Sequence, residues 1–348
     1  MVTSLLRNCK SVILILVIGT SKQRSVGVIS LVKPRNDNPL EGQEIFKDND
    51  PYSFMLKFIE NIYSPCLSLV CSYISSAIIM PTLKNLKITL AYDGSGFHGW
   101  QFQPGKRTVQ ETVEAALESI LQHGIRVAAS GRTDAGVHAL GQVINFFTPS
   151  SIPEQGLLKA MNSKFSSDLA ALEIKEVDPA FHARYMAKSK AYVYVIETAA
   201  ILSPFLSRYT LHIPYELDTE AMNLSAKMIE GEHDFRSFMA AGSTVKTTKR
   251  RILAAEVTTK GSQVFFFIQG SGFLRHMVRN IVGTLLLIGQ GKIVPDEIDR
   301  IIARRDRAFA GPTAPPQGLY LVGVDYGKGR RYSLSEVTAV GTGQCNNY

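Results

Sequence analysis

The sequence predicts an α+β protein with mainly antiparallel sheets. Two observations carry that expectation. Segments with apolar alternation or β-branched and aromatic enrichment recur along the chain, whereas stripes at helical spacing are fewer. The order strand, helix, strand, strand, helix also occurs twice, once on each side of residue 187.

The elements can be justified in order. Residues 87–92 form the first strand, with Ile88 and Leu90 on one face. Thr108 then stands where an N-cap belongs, with Glu111 three residues on to complete a capping box. Val109, Val113, Ala116, Leu117, Ile120 and Leu121 make the helical stripe that follows, and Gly124 ends it. Strands are predicted over 126–130 and 141–147, a helix over 155–162 and a strand over 172–177. The second half opens with a strand over 191–197, rich in Tyr and Val. A helix over 219–230 stops at Gly231, and strands over 252–259 and 263–269 turn at Lys260-Gly261. An apolar helix is predicted over 274–288. Pro295 with Asp296, Glu297 and Asp299 opens another, and residues 319–325 form the last strand.

Composition narrows the class. A 348-residue chain supports two modest domains, expected here over 80–186 and 187–326. The formal charge of +8 points to a polyanionic partner. Cys9, Cys66, Cys71 and Cys345 all lie outside 80–326, which leaves the core without a disulfide framework, a thiolate metal site or a thiol nucleophile. The histidines lack tight ligand spacing, so His138 and His276 read as hydrogen-bonded structural groups or contacts for a ligand.

The ends fit neither domain. Residues 11–20 form an apolar run after Arg7 and Lys10 that imitates a signal peptide but is too short to span a membrane comfortably. A targeting extension, a disordered arm and an upstream region translated in error compete for residues 1–79. The third is favoured because Met80 resembles a natural start. The polar, Gly-rich 327–348 reads as a disordered tail.

The segment Ser130-Gly131-Arg132-Thr133-Asp134-Ala135-Gly136-Val137-His138-Ala139 holds the most chemistry. A carboxylate between two glycines, beside a strand, is held rigidly and stays reachable. The structural alternative is an Asp-Ala-Gly turn whose carboxylate bonds its own backbone. The ten residues resemble the catalytic loop of the TruA family of tRNA pseudouridine synthases. Further elements of that family follow in order: Tyr92-Asp93-Gly94 with Phe97 and Gly99-Trp100-Gln101, Thr108-Val109-Gln110, Phe181 with Ala183-Arg184, Tyr192 with Tyr194, Gly231 with His233-Asp234-Phe235, the run Phe273 to Asn280, and Gly318-Leu319-Tyr320-Leu321. Together they cover about residues 80–326.

The resemblance implies two ferredoxin-like halves around a central RNA-binding cleft, a homodimer, and isomerisation of uridine to pseudouridine at tRNA positions 38–40. That reaction involves no redox change and no group donor, so neither cofactor nor metal is expected. Asp134 is implied as nucleophile, Arg279 as its ion-pair partner and Arg132 as the group that fills the space left by the extruded base. Tyr192 is implied as the face for that base and Leu321 as a wall of its pocket. Periodicity alone leaves Tyr194 as a rival to Tyr192, and Arg279 as a residue on the helix rim. His138, Arg275, Lys249 and Arg250 are further candidates for RNA contact, the last two in a basic cluster with Lys246 and Arg251. Val193 stands where the family often carries a basic residue, which predicts one missing phosphate contact. A cytoplasmic location is expected, or an organellar one if the extension is a targeting segment. Two other classes compete: a non-catalytic RNA-binding module, and a metal-dependent hydrolase built on Asp93, Asp134 and His138.

Overall fold

The computed structural model describes residues 83–243, 245–327, 329 and 332, and the backbone of three segments before residue 33. These three are β1 (Thr3–Ser4), β2 (Ser11–Thr20) and β3 (Gln23–Val32), which form an antiparallel sheet in that order. The apolar run therefore takes strand backbone, pairing Thr20 with Gln23 and Ser11 with Val32. The other expectations for residues 1–79, and those for 328–348 apart from residues 329 and 332, lie outside the described residues.

The second compact unit begins at Thr82. Its strands are β4 (Lys84–Tyr92), β5 (Ala128–Ala129), β6 (His138–Thr148), β7 (Leu169–Val177), β8 (Ser189–Glu197), β9 (Leu211–His212), β10 (Gly231–Asp234), β11 (Lys249–Lys260), β12 (Gln263–Gly270) and β13 (Leu319–Asp325). They form one mostly antiparallel sheet in the order β10-β11-β12-β8-β13-β6-β4-β7, with β5 on β6 and β9 on β8. The helices are α1 (Val109–Leu121), α2 (Glu154–Lys164), α3 (Thr219–Met228), α4 (Met277–Gly289) and α5 (Glu297–Arg304). Among the described residues no helix is long and apolar enough to cross a membrane.

The last strand sets the architecture. β13 runs parallel to β6 and antiparallel to β8, so Leu321 faces Ala139 on one side and Tyr192 on the other. The halves read as separate domains thus share one continuous sheet. Side chains alternate across it. Tyr192, Tyr194, Leu319 and Leu321 join the core that contains helix residues Val113, Leu117, Met161, Met222, Met277 and Ile281. Ala191, Val193, Val195, Phe265, Phe267 and Tyr320 form a smaller cluster on the opposite face, with Tyr332 packed against it.

Local chemistry explains where element boundaries depart from expectation. α1 is capped by the Thr108 hydroxyl, which accepts from the Glu111 N–H, but it ends before Gly124. Gln122 takes the left-handed conformation instead (φ 60°), its side-chain amide donating to Ser119 O. The strand expected over 126–130 shrinks to two residues. Upstream of it, the Glu114 carboxylate accepts from both the Val127 N–H and Arg126, replacing a ladder bond. α4 starts at Met277 because His276 is left-handed (φ 61°). α3 ends at Met228, and the two short strands β9 and β10 have no sequence signal of their own.

Candidate active site

The loop between β5 and β6 is fixed by neighbours on both sides. Ser130 Oγ donates to Gln142 Oε1 at 2.7 Å, and Gln142 Nε2 donates to Gly131 O at 2.9 Å. Thr133 Oγ1 and the Tyr92 hydroxyl lie 2.8 Å apart, and the Trp100 N–H donates to Thr133 O at 3.0 Å. Gly99 permits that approach: its φ is +84°, and a Cβ there would sit 2.8 Å from Thr133 O. The tight Gly99-Trp100 turn therefore buttresses the residue next to Asp134.

Asp134 meets the third residue of α4. Arg279 Nη1 donates to Asp134 Oδ2 at 2.9 Å, while its Nε donates to Ala314 O at 2.7 Å. The Ala314 N–H in turn donates to Arg279 O. The guanidinium is 14% exposed and the carboxylate 30%, so the pair is sheltered but open to a ligand. His276 Nε2 stands 3.5 Å from the same Oδ2, and burial lowers its pKa against the pull of Asp134. Both contacts fall on Oδ2. Among the described residues no donor reaches Oδ1.

Tyr192, near enough to feel the charge of Asp134, is paired with Leu321 across β8 and β13, and both are buried. Phe273 meets the Tyr192 ring edge-on at 5.1 Å. Burial, then the neighbouring Tyr92 and Asp134, push the Tyr192 pKa well above its ordinary value, so the hydroxyl is neutral and can donate. The rival Tyr194 is fully buried, with its hydroxyl donating to Pro315 O.

The remaining candidates separate. Arg132 is exposed and has no hydrogen-bond or ion-pair partner among the described residues. Arg275 is also exposed and precedes α4 rather than lying on it. Lys249 and Arg250 begin β11 instead of occupying a loop, and Arg250 Nη1 is turned back onto Thr247 O and Lys249 O. No contact joins either to Asp134.

His138 requires correction. It is 2% exposed and stacks on Tyr320 at 4.6 Å. Its Nδ1 accepts from the Gly94 N–H, and its Nε2 faces the carbonyls of Arg208 and Gln317. Burial lowers its pKa, which fits a neutral ring protonated at Nε2. Both nitrogens are committed, so the ring has nothing to offer RNA. Asp93 lies against it and takes hydrogen bonds from Arg208 and Tyr209, in a cluster apart from the Asp134–Arg279 pair. Among the described residues no group of His, Cys, Asp or Glu is suited to hold a metal. Val193 is likewise corrected: it is fully buried on the face opposite Tyr192, where a basic side chain would point away from the site.

Sequence reasoning gave no site role to Ala314, Gln142 or Lys190, and left His276 without a defined one. Ala314 and Gln142 act through a backbone carbonyl or a side-chain amide, for which residue type gives no signal. Lys190 lies two residues before Tyr192, so strand alternation alone could have placed it on the same face.

A carboxylate with one oxygen tied to arginine and the other open, near a buried neutral tyrosine, has the chemistry to attack an electrophilic carbon. Comparison with known proteins agrees. The tRNA pseudouridine synthase family matches residues 88–186 and 225–327. The chain is 48% identical over 244 residues to a tRNA pseudouridine synthase A of Geobacillus sp. (strain WCH70), covering 70% of this chain and 98% of that protein. It is 49% identical over 243 residues to the protein of that name from Moorella thermoacetica, covering 69% and 99%. The chain belongs to the tRNA pseudouridine synthase family, isomerases that convert uridine to pseudouridine in tRNA.

Proposed function

We propose that this chain isomerises uridine at positions 38–40 of the tRNA anticodon stem-loop, with Asp134 as nucleophile. One observation carries the assignment: Arg279 occupies Oδ2 of Asp134, and Oδ1 accepts no hydrogen bond from the described residues. Attack by Oδ1, on the sugar or on the base, releases N1 of uracil from C1′. The base rotates, C5 bonds to C1′, the proton from C5 is lost to water and N1 takes one up, so the product is an isomer of the substrate. The carboxylate is regenerated, so the cycle needs neither cofactor nor metal. Arg279 holds the carboxylate aimed through its hydrogen bond to Oδ2 once the base excludes water. Tyr192 receives the flat face of the extruded uracil, and Leu321 keeps the pocket dry. Arg132, uncommitted within the protein, holds the space the base leaves.

We further propose a homodimer. Ile201 and Phe205, 87% and 86% exposed in one loop, support an apolar contact between copies, and light scattering in solution tests it.

The test of activity is tritium release from tRNA labelled at uridine C5, in the presence of a chelator. The native protein is expected to release label and Asp134→Ala none. Equal release by both would overturn the role of Asp134, and no release by either would overturn the activity.

A further inference from the structure

Lys190 is a partly buried cation whose position the isomerisation mechanism does not use. It sits on β8 two residues before Tyr192, hence on the same face of the sheet. Its Nζ donates to Ser130 O at 2.5 Å, at the root of the catalytic loop. Gly131 makes room for it, since a Cβ there would lie 2.7 Å from Nζ. An ammonium has three donors, and this one has a single acceptor among the described residues.

Among the described residues no carboxylate balances the charge. Gly270 and Val324 lie opposite Lys190 on β12 and β13. Asp325, the next residue of β13, pairs with Ser189 and so belongs to the other face. The loop before β8 brings the like charge of Arg184 near Lys190. Burial, then the like charge of Arg184, lowers the Lys190 pKa to about 8. Two cations with no acid beside them among the described residues, one of them desolvated with spare donors, describe a site that lacks its anion.

We infer that Lys190 binds a backbone phosphate of the RNA, next to the extruded nucleotide and at the hinge of the catalytic loop. This rests on the RNA-modifying reading above. A phosphate supplies the missing charge and takes the unused donors. The same contact ties the RNA to Ser130-Gly131, so binding the backbone also seats the segment that carries Arg132 and Asp134. Lys190 is then both a phosphate ligand and a positioning residue for the loop.

The experiment measures binding of an anticodon stem-loop RNA to the full-length protein across salt and across pH 7–9.5, for the native chain, Lys190→Met and Lys190→Arg. Loss of one phosphate contact should reduce the slope of log affinity against log salt by about 0.7–0.9 and weaken binding roughly tenfold at low salt. Native affinity should be flat below pH 8 and fall above it, as the ammonium loses its proton. Lys190→Arg should keep the salt slope and lose that fall. Titration of the RNA bases is common to all three proteins and cancels. If Lys190→Met fails to fold, the native and Lys190→Arg pH profiles still decide. Lys190→Met with the native slope and a lowered turnover would overturn the inference and leave Lys190 as a brace for the loop. So would identical pH profiles for native and Lys190→Arg. Failure of the RNA-modifying reading looks different: the native protein would not bind the RNA at all.

Discussion

Asp93 and Asp134 are both aspartates paired with an arginine, and they have opposite fates. Asp93 accepts from the Ser95 N–H at 2.9 Å, from Arg208 at 2.5 Å and from the Tyr209 hydroxyl at 2.9 Å, so both of its oxygens are used. Burial raises its pKa, but the hydrogen bonds from Ser95 and Tyr209 outweigh that and bring it down to about 2. Among the described residues Asp134 accepts a side-chain hydrogen bond from Arg279 alone, through one oxygen. The first carboxylate is saturated and therefore structural. The second is anchored on one side only, which leaves a lone pair for chemistry. What distinguishes the two is the number of donors aimed at each, since residue type and arginine partner are the same.

Substitution at the two aspartates should separate them most widely. Asp134→Asn keeps the shape of the loop but removes the nucleophile, and turnover should fall by about 10⁴-fold or more. Its melting temperature should stay close to native. Residual turnover within tenfold of native, measured by tritium release, would erase the contrast. Arg279→Ala should cost about 10²–10³-fold in kcat by freeing Asp134 from that donor. Arg279→Lys should recover part of that loss, because a single ammonium cannot reach Ala314 O and Asp134 Oδ2 with the geometry of a guanidinium. A smaller loss is expected for Tyr192→Phe, about five- to tenfold in kcat/KM, as one hydrogen bond to the base is removed while stacking is kept.

Much of this contrast was legible beforehand, and the part that was not has a physical reason. The strands β4, β6, β8, β11, β12 and β13 followed from apolar alternation, buried apolar runs or enrichment in Tyr and β-branched residues, and the cap at Thr108 from the chemistry of α1. Resemblance supplied Asp134, Arg279, Tyr192 and Leu321; the structure pairs Asp134 with Arg279 and puts Tyr192 near that carboxylate, while Leu321 is joined to Tyr192 by strand pairing. His138 was misplaced because a histidine in a catalytic motif suggests a ligand contact. Its burial depends on Gly94, Arg208, Gln317 and Tyr320, which lie far from it in sequence. Val193 was misjudged for a simpler reason: alternation along β8 already put it on the face opposite Tyr192. The single sheet was hidden too. It depends on β13 crossing from the end of the chain to lie between β6 and β8, and local pattern does not encode that pairing.

The least effect on turnover is expected at Asp93, and it shows how the saturated carboxylate differs. Asp93→Asn should leave kcat within about twofold, because among the described residues no side chain of the Asp93–His138 cluster touches Asp134 or Arg279; the two are linked through the backbone of the loop, where the Gly136 N–H donates to Phe97 O. Its cost should appear in stability instead, about 1–2 kcal/mol at neutral pH, since three donors lose an ionised acceptor. The pH dependence has a definite sign. The Asp93 pKa is depressed in the folded state, so its contribution is complete above the ordinary aspartate value near 4. It is lost as the pH falls from there through about 2. The gap in melting temperature between native and Asp93→Asn should therefore be constant from pH 7 to about 5 and close between about pH 4 and pH 2. A gap that persists unchanged at pH 2 would mean that the Asp93 charge is not what Arg208 and Tyr209 hold, and the contrast with Asp134 would have to rest on geometry alone.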